Sequence, residues 1–247
     1  MVFCHNLRYN KGMEFYLYTI LLLLVMVLSF AASARVNSVF QRLNQTPASS
    51  GLPAREVARR IMGDNSVTLP ITRVSGALTD HYNPKTGTVG LSEAVYDSNS
   101  VAALAVAAHE VGHVLQYEEG YAPIRIRNAV LPVANFGCWF GPYLILGGIV
   151  LSLFANAGNV GYYIAMGGVA LYFVMFLFQL VTLPVEFNAS RRALTLLTDG
   201  GYITEAERPA AKKMLRAAAN TYVLAALGSL ITILRLLTLV RGTRRSN

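Results

Sequence analysis

The chain has 247 residues, enough for one modest domain or two small ones. Hydrophobic residues make up 54% and charged residues 14%, an excess and a deficit that exclude a disordered tail and an ordinary soluble globule and point to a chain embedded in lipid. The net charge is +8, from 21 Lys and Arg against 13 Asp and Glu; in such a chain basic residues flank membrane spans rather than bind nucleic acid.

Phe15 to Ala34 is an uncharged run of twenty residues, long enough to cross about 30 Å of hydrocarbon as a helix. Arg8, Lys11 and the Ala32-Ser33-Ala34 triplet resemble a signal peptide, but the apolar core exceeds the usual signal length, so it reads as a retained span. Residues 35–128 are polar and nearly neutral, with nine Lys and Arg and eight Asp and Glu. Within them, Pro53 to Met62 predicts a short amphipathic helix with proline in its first turn. The following residues alternate loosely around the turn sequence Asn83-Pro84-Lys85-Thr86-Gly87 and predict a β-hairpin, strands 70–82 and 88–92. Asp97-Ser98-Asn99-Ser100 supplies helix caps, and Val101 to Tyr117 predicts a strong helix.

Ala129 to Phe154 and Val160 to Val185 predict two further spans joined by the uncharged turn 155–159, a helical hairpin in the membrane. Gly137 and Gly141, four apart, either let backbones pack closely or simply face lipid. Of the two cysteines, Cys4 and Cys138, the second lies in this apolar region, which leaves no disulfide framework. Glu186 to Arg216 is a second polar stretch, read as one or two short helices broken at Asp199-Gly200-Gly201. Tyr222 to Val240 is a fourth apolar run, a span or a helix lying in the membrane surface, with Arg235 near enough to its end to snorkel.

The predicted helix 101–117 contains His109-Glu110-Val111-Gly112-His113, an H-E-x-x-H motif. Two histidines at i and i+4 share one helical face, so their ring nitrogens can converge on one zinc ion. Glu110 is turned about 100° from His109 and is placed to take a proton from a metal-activated water. Gly112 permits close approach of another element. A catalytic site needs a third ligand and an open fourth position. His81 and Glu186 are the leading candidates, with Glu118, Glu119 and Asp199 behind them. Glu118 and Glu119 lie too far past His113 along the same helix to bend back.

The runs Leu78-Thr79-Asp80-His81-Tyr82-Asn83-Pro84, Leu91-Ser92, AVAAHEVGHVLQ and LPVEFNASRRAL, in that order, resemble the YugP-type neutral zinc metallopeptidases of bacterial membranes. The Glu-Phe-x-Ala segment is also similar to the HtpX and CAAX prenyl protease group. That likeness implies Glu186 as the third zinc ligand, 73 residues past His113, with Ser190 standing where the broader group tends to carry Asp. It further implies peptidase activity and a strand before the metal helix that pairs with substrate backbone. His81 or Tyr82 would then hydrogen-bond the oxyanion of the tetrahedral intermediate; the plainer role for His81 is to organise its turn.

The expected architecture is an α+β zincin-like catalytic domain, helices plus a β-hairpin, on a helical scaffold of about four spans, mainly α overall. Its segments are an N-terminal span (1–34), a catalytic domain (35–128), a membrane hairpin (129–185), a ligand-bearing segment (186–217) and a C-terminal span with a basic tail (218–247). His109, His113 and Glu186 are expected to hold one zinc ion per chain, with Glu110 as base. The expected partners are a membrane-associated polypeptide substrate and the bilayer. The two polar stretches carry fifteen Lys and Arg against five on the opposite side, Arg8, Lys11, Arg241, Arg244 and Arg245, which favours a cytoplasmic active site in a bacterial plasma membrane. The rival readings are a non-catalytic zinc-binding membrane scaffold, against which an intact Glu110 argues, and a transporter, against which the absence of charge in the two hairpin spans argues.

Overall fold

The computed structural model describes residues 2–154 and 158–243. In chain order these form α1 (Val2–Leu43), α2 (Ala54–Asp64), β1 (Ile71–Val74), β2 (His81–Asn83), β3 (Thr88–Ser92), α3 (Glu93–Tyr96), α4 (Val101–Glu118), α5 (Ala122–Phe154), α6 (Gly158–Asp199) and α7 (Arg208–Thr243). Most of the predicted turn 155–159 and the basic residues Arg244 and Arg245 lie outside the described residues.

Among the described residues, four helices are long and apolar enough to cross a membrane: Met13–Leu43, Ala122–Leu153, Asn159–Asp199 and Arg208–Gly242. They contain the four predicted apolar runs. Large apolar side chains such as Leu17, Ile20, Phe30, Trp139 and Leu146 stand more than half exposed, as suits a lipid-facing surface and not a water-facing one. The chain divides into two compact units. One holds the apolar stretches through Phe30, Ile126–Val181 and the chain from Tyr222 onward. In it the glycines of α5 and α6 let backbones approach. A Cβ on Gly137 would lie 2.7 Å from the Leu171 carbonyl oxygen, and one on Gly168 would lie 2.8 Å from that of Gly141. Gly137 and Gly141 thus belong to a helix–helix contact.

The second unit comprises Ala31–Arg125 and Thr182–Thr221. Its core is built around α4, whose sequence VAALAVAAHEVGHVLQYE places small and apolar residues on almost every side. Val57, Ile61 and Met62 of α2, Val89 and Leu91 of β3 and Val95 of α3 are buried against it. Ser100 caps α4 by accepting the Ala103 amide at 3.1 Å. The Ser98 and Ser100 hydroxyls both donate to Asn44 Oδ1, at 2.8 and 2.6 Å, which ties the start of α4 to the chain leaving α1.

Two expectations are corrected. The predicted first strand, 70–82, is two strands. β1 pairs in parallel with β3, with Ile71 opposite Val89, while β2 pairs antiparallel with β3, with His81 opposite Gly90, giving the order β1-β3-β2. The chain leaves β1 through Gly76 and Leu78, at φ of 100° and 54°, which no strand accommodates. The Asp80 carboxylate then anchors β2 beside the end of β3 by accepting the Ser92 amide at 2.7 Å and its hydroxyl at 2.9 Å. The hairpin survives only as β2 and β3 around the 84–87 turn. Secondly, Glu186 to Arg216 is not a set of short helices. α6 carries its helix without a break past Pro184 to Asp199, and α7 begins at Arg208 and runs on through the fourth apolar stretch. The expected break at Asp199-Gly200-Gly201 is where α6 ends, with Gly201 at φ 67°.

Candidate metal centre

Residues from two helices meet at one point in the second unit. His109 and His113 project from one face of α4, and Glu186 comes from α6. His109 Nε2 lies 3.3 Å and His113 Nε2 3.7 Å from Glu186 Oε2. The three ligand atoms lie within 4.8 Å of one another. Donors at about 2.0–2.1 Å from a tetrahedral ion stand about 3.4 Å apart, so the spacing suits a metal. Glu186 is 3% exposed, and its Oε2 is a buried carboxylate oxygen without a hydrogen-bond donor. Such an atom is costly to bury unless a cation completes it.

The second nitrogen of each imidazole is held from behind, and the polarity of that support can be read from its far end. Arg192 is a permanent donor. It is gripped by Glu119 through two bonds of 2.5 and 2.6 Å, and its Nε donates to Asn188 Oδ1 at 2.9 Å. Gln116 Nε2 donates to the same Oδ1 at 2.9 Å and to the Val185 carbonyl at 2.8 Å. Gln116 Oε1 is therefore the acceptor, and His113 Nδ1 donates to it at 3.0 Å. A neutral His113 then carries its proton on Nδ1 and turns a bare Nε2 lone pair toward the Glu186 carboxylate. Two such acceptors face each other only with a proton or a metal ion between them. On the other ring, Ser190 Oγ lies 3.3 Å from His109 Nδ1. Position 190 thus keeps a contact with the metal-facing histidine although it is not Asp.

The approach of α6 to α4 is set by Gly112. A Cβ there would lie 2.8 Å from the Ala189 carbonyl oxygen and 3.2 Å from Ala189 Cα. The close contact expected of this glycine is therefore real, and its partner is the helix that carries Glu186. Glu110, between the two histidines, is 8% exposed and close enough for its charge to act on His113.

The remaining sequence candidates are accounted for individually. Glu119 is taken by Arg192, so it supports the site from a distance. His81 lies on β2 and is exposed. It is not among the three residues brought together, nor are Glu118 and Asp199. The His81 ring covers Gly90, where a Cβ would lie 2.8 Å from its Cε1, and its Nδ1 donates to the Thr79 carbonyl at 2.9 Å. Tyr82 packs edge-on to Tyr117 of α4, ring centres 5.3 Å apart. Sequence reasoning did not pick out Gln116, Asn188 or Arg192. The available signal was Gln116 itself, a fully buried polar residue one turn beyond His113 in an apolar helix.

Residues 18–241 match the family described as "Putative neutral zinc metallopeptidase". The chain is 41% identical to the protein named "Putative membrane protease YugP" of Bacillus subtilis (strain 168) over 232 residues, which is 94% of this chain and 100% of that protein. No solved structure matches it.

Two measurements probe the centre directly. Burial favours the neutral form of His113, but Glu186, Glu110 and Gln116 outweigh it and hold its pKa above the ordinary value of 6.5. A raised pKa keeps the imidazolium to higher pH, so a metal ion must displace a proton from it. Zinc titrated into the metal-free protein at pH 7 should release protons, more at pH 6.5 than at pH 8. Calorimetry in buffers of different ionisation enthalpy reads that number, and a pH-independent value of zero would remove His113 from the site. Gly112→Ala should push α6 outward and weaken zinc binding about tenfold or more, the scale expected when the support of a ligand is disturbed. Competition with a chelator measures it.

Proposed function

This chain belongs to the neutral zinc metallopeptidase family, and we propose that it is a multi-pass membrane enzyme that hydrolyses peptide bonds with one zinc ion held by His109, His113 and Glu186. The observation that carries the reading is the convergence of two imidazole nitrogens on the orphaned Oε2 of Glu186, with the buried carboxylate of Glu110 between the histidines in sequence. A structural zinc site closes its fourth position with a further Cys or His. Here no fourth such ligand joins the cluster among the described residues.

The ion would supply the positive charge that acidifies a water and polarises a carbonyl. The work of this chain is to move the proton and hold the peptide. Glu110 accepts the proton of the attacking water on its carboxylate and returns it to the amide nitrogen as the C–N bond breaks. β3 is paired on both sides, so backbone pairing falls to an outer edge of the sheet, β1 or β2; we assign it to β2, whose Tyr82 packs on Tyr117 of the metal-bearing helix. His81 stands on that strand. Because its Nδ1 proton is committed to the Thr79 carbonyl, only the doubly protonated ring can donate from Nε2 to a developing oxyanion. In this reading the substrate is a polypeptide segment at or near the bilayer, and the basic count favours a site on the cytoplasmic side of a bacterial plasma membrane.

Protein purified in detergent should hold about one zinc per chain and degrade an unfolded reporter. Glu110→Gln should keep the zinc and lose activity by about 10²–10⁴-fold, whereas Glu186→Ala should lose both. Zinc retained with no cleavage by the wild type would favour the scaffold reading instead. His81→Ala should lower kcat about 10²-fold with zinc content unchanged; loss of zinc in that variant would assign His81 to the fold.

A further inference from the structure

Within the second unit, on the side of α6 away from α4's contact at Ala189, lies an open cavity of about 930 Å³. Its walls carry six cationic side chains from three helices: Arg35 of α1, Arg191 of α6, and Arg208, Lys212, Lys213 and Arg216 of α7. No lining residue is acidic. Arg208 has an exposed partner in Glu205, at 3.8 Å. Six like charges around one space repel one another and destabilise the packing that gathers them. A bound anion relieves that repulsion.

The position along the chain identifies the kind of anion. Arg35 is the first residue after the uncharged run Phe15–Ala34. Arg191 follows the run ending at Val185, and Arg216 precedes the run starting at Tyr222, each by six residues. At a rise of about 1.5 Å per helical residue, all three lie within about 10 Å of an apolar segment along their own helix. The headgroup layer adds about 5–7 Å on each side of the hydrocarbon, so Arg35 falls within it and Arg191 and Arg216, about 9 Å along their helices, stand at its outer edge with long side chains that reach into it. Phe187 and Leu194 give the same cavity an apolar wall, and Phe187 is 44% exposed. A basic cluster beside a span, combined with apolar surface, has the chemistry of a phosphodiester headgroup attached to a lipid.

We infer that this cavity is a binding site for the phosphate group of an anionic membrane lipid. The inference does not depend on the zinc chemistry. Ser190 also lines the cavity, and its hydroxyl is the group that reaches His109 Nδ1. The lipid site and the metal centre are therefore separated by one side chain of α6.

The test is lipid retention by the full-length protein in detergent, offered equal amounts of phosphatidylglycerol and phosphatidylcholine and read by native mass spectrometry. The wild type should retain phosphatidylglycerol preferentially. Lys212→Gln, Lys213→Gln and Arg216→Gln together should lower that preference about a hundredfold, since each basic group near an anionic surface contributes about a factor of five. Arg35→Gln with Arg191→Gln, on the other two helices, should lower it independently. A control of equal charge change elsewhere, Arg59→Gln, Arg60→Gln and Lys85→Gln, should leave it unchanged, and circular dichroism with size-exclusion chromatography reports whether each variant is folded. An equal loss in the control, or no preference in the wild type, would overturn the site. Displacement of bound lipid by millimolar inorganic phosphate, with no headgroup preference, would assign the cavity to a soluble anion and overturn the lipid.

Discussion

The contact between Gly112 and Ala189 governs the rest of this structure. The H-E-x-x-H helix brings two of the three metal donors by its own periodicity, but the third comes from a different helix and depends on how near that helix can come. With no Cβ at residue 112, the α6 backbone reaches the α4 surface, and Glu186, one turn before Ala189, drops between the two imidazoles. Any side chain larger than hydrogen at that point holds the helices apart. The same approach places Asn188, Ser190 and Arg192 on the turns that face α4, where they serve the histidines.

The hydrogen-bond chain from Glu119 through Arg192, Asn188 and Gln116 to His113 follows from that approach. Each member has one direction forced on it by its neighbour, starting from a guanidinium that can only donate. A histidine whose Nδ1 proton is fixed presents its Nε2 lone pair inward without a rotational search. Burial makes the arrangement both demanding and effective, because an unpaired polar group at this depth is costly and a satisfied one is rigid.

Much of this was legible in the chain because it was local. The Ser100 cap, the apolar surroundings of H-E-x-x-H and the uncharged runs all declare themselves within a dozen residues. Glu186 was reachable by its place just after a span and by family likeness. The parallel pairing of β1 with β3 was not legible, since parallel pairing is a non-local choice, whereas the break between the two strands did have a local mark, Ser75-Gly76, which the loose alternation over 70–82 masked. The continuity of α6 was hidden by the change from apolar to polar residues after Val185, which marks a change of environment and not the end of a helix. Gln116, Asn188 and Arg192 could not be joined by eye because single polar residues have no period. The six cations of the basic cavity looked like ordinary flanking charge until three helices put them around one space.

The separation of the ligands along the chain has a consequence for how such an enzyme comes to life. His109 and His113 are synthesised well before Glu186, and the 72 residues between His113 and Glu186 include all of α5 and most of the apolar part of α6. At about 5–20 residues per second, the nascent chain spends several seconds with its motif made and its third donor missing. On the proposed chemistry, the metal centre would be completed only once both hairpin helices have been made and α6 has docked on Gly112, so a chain stalled partway would lack the third donor.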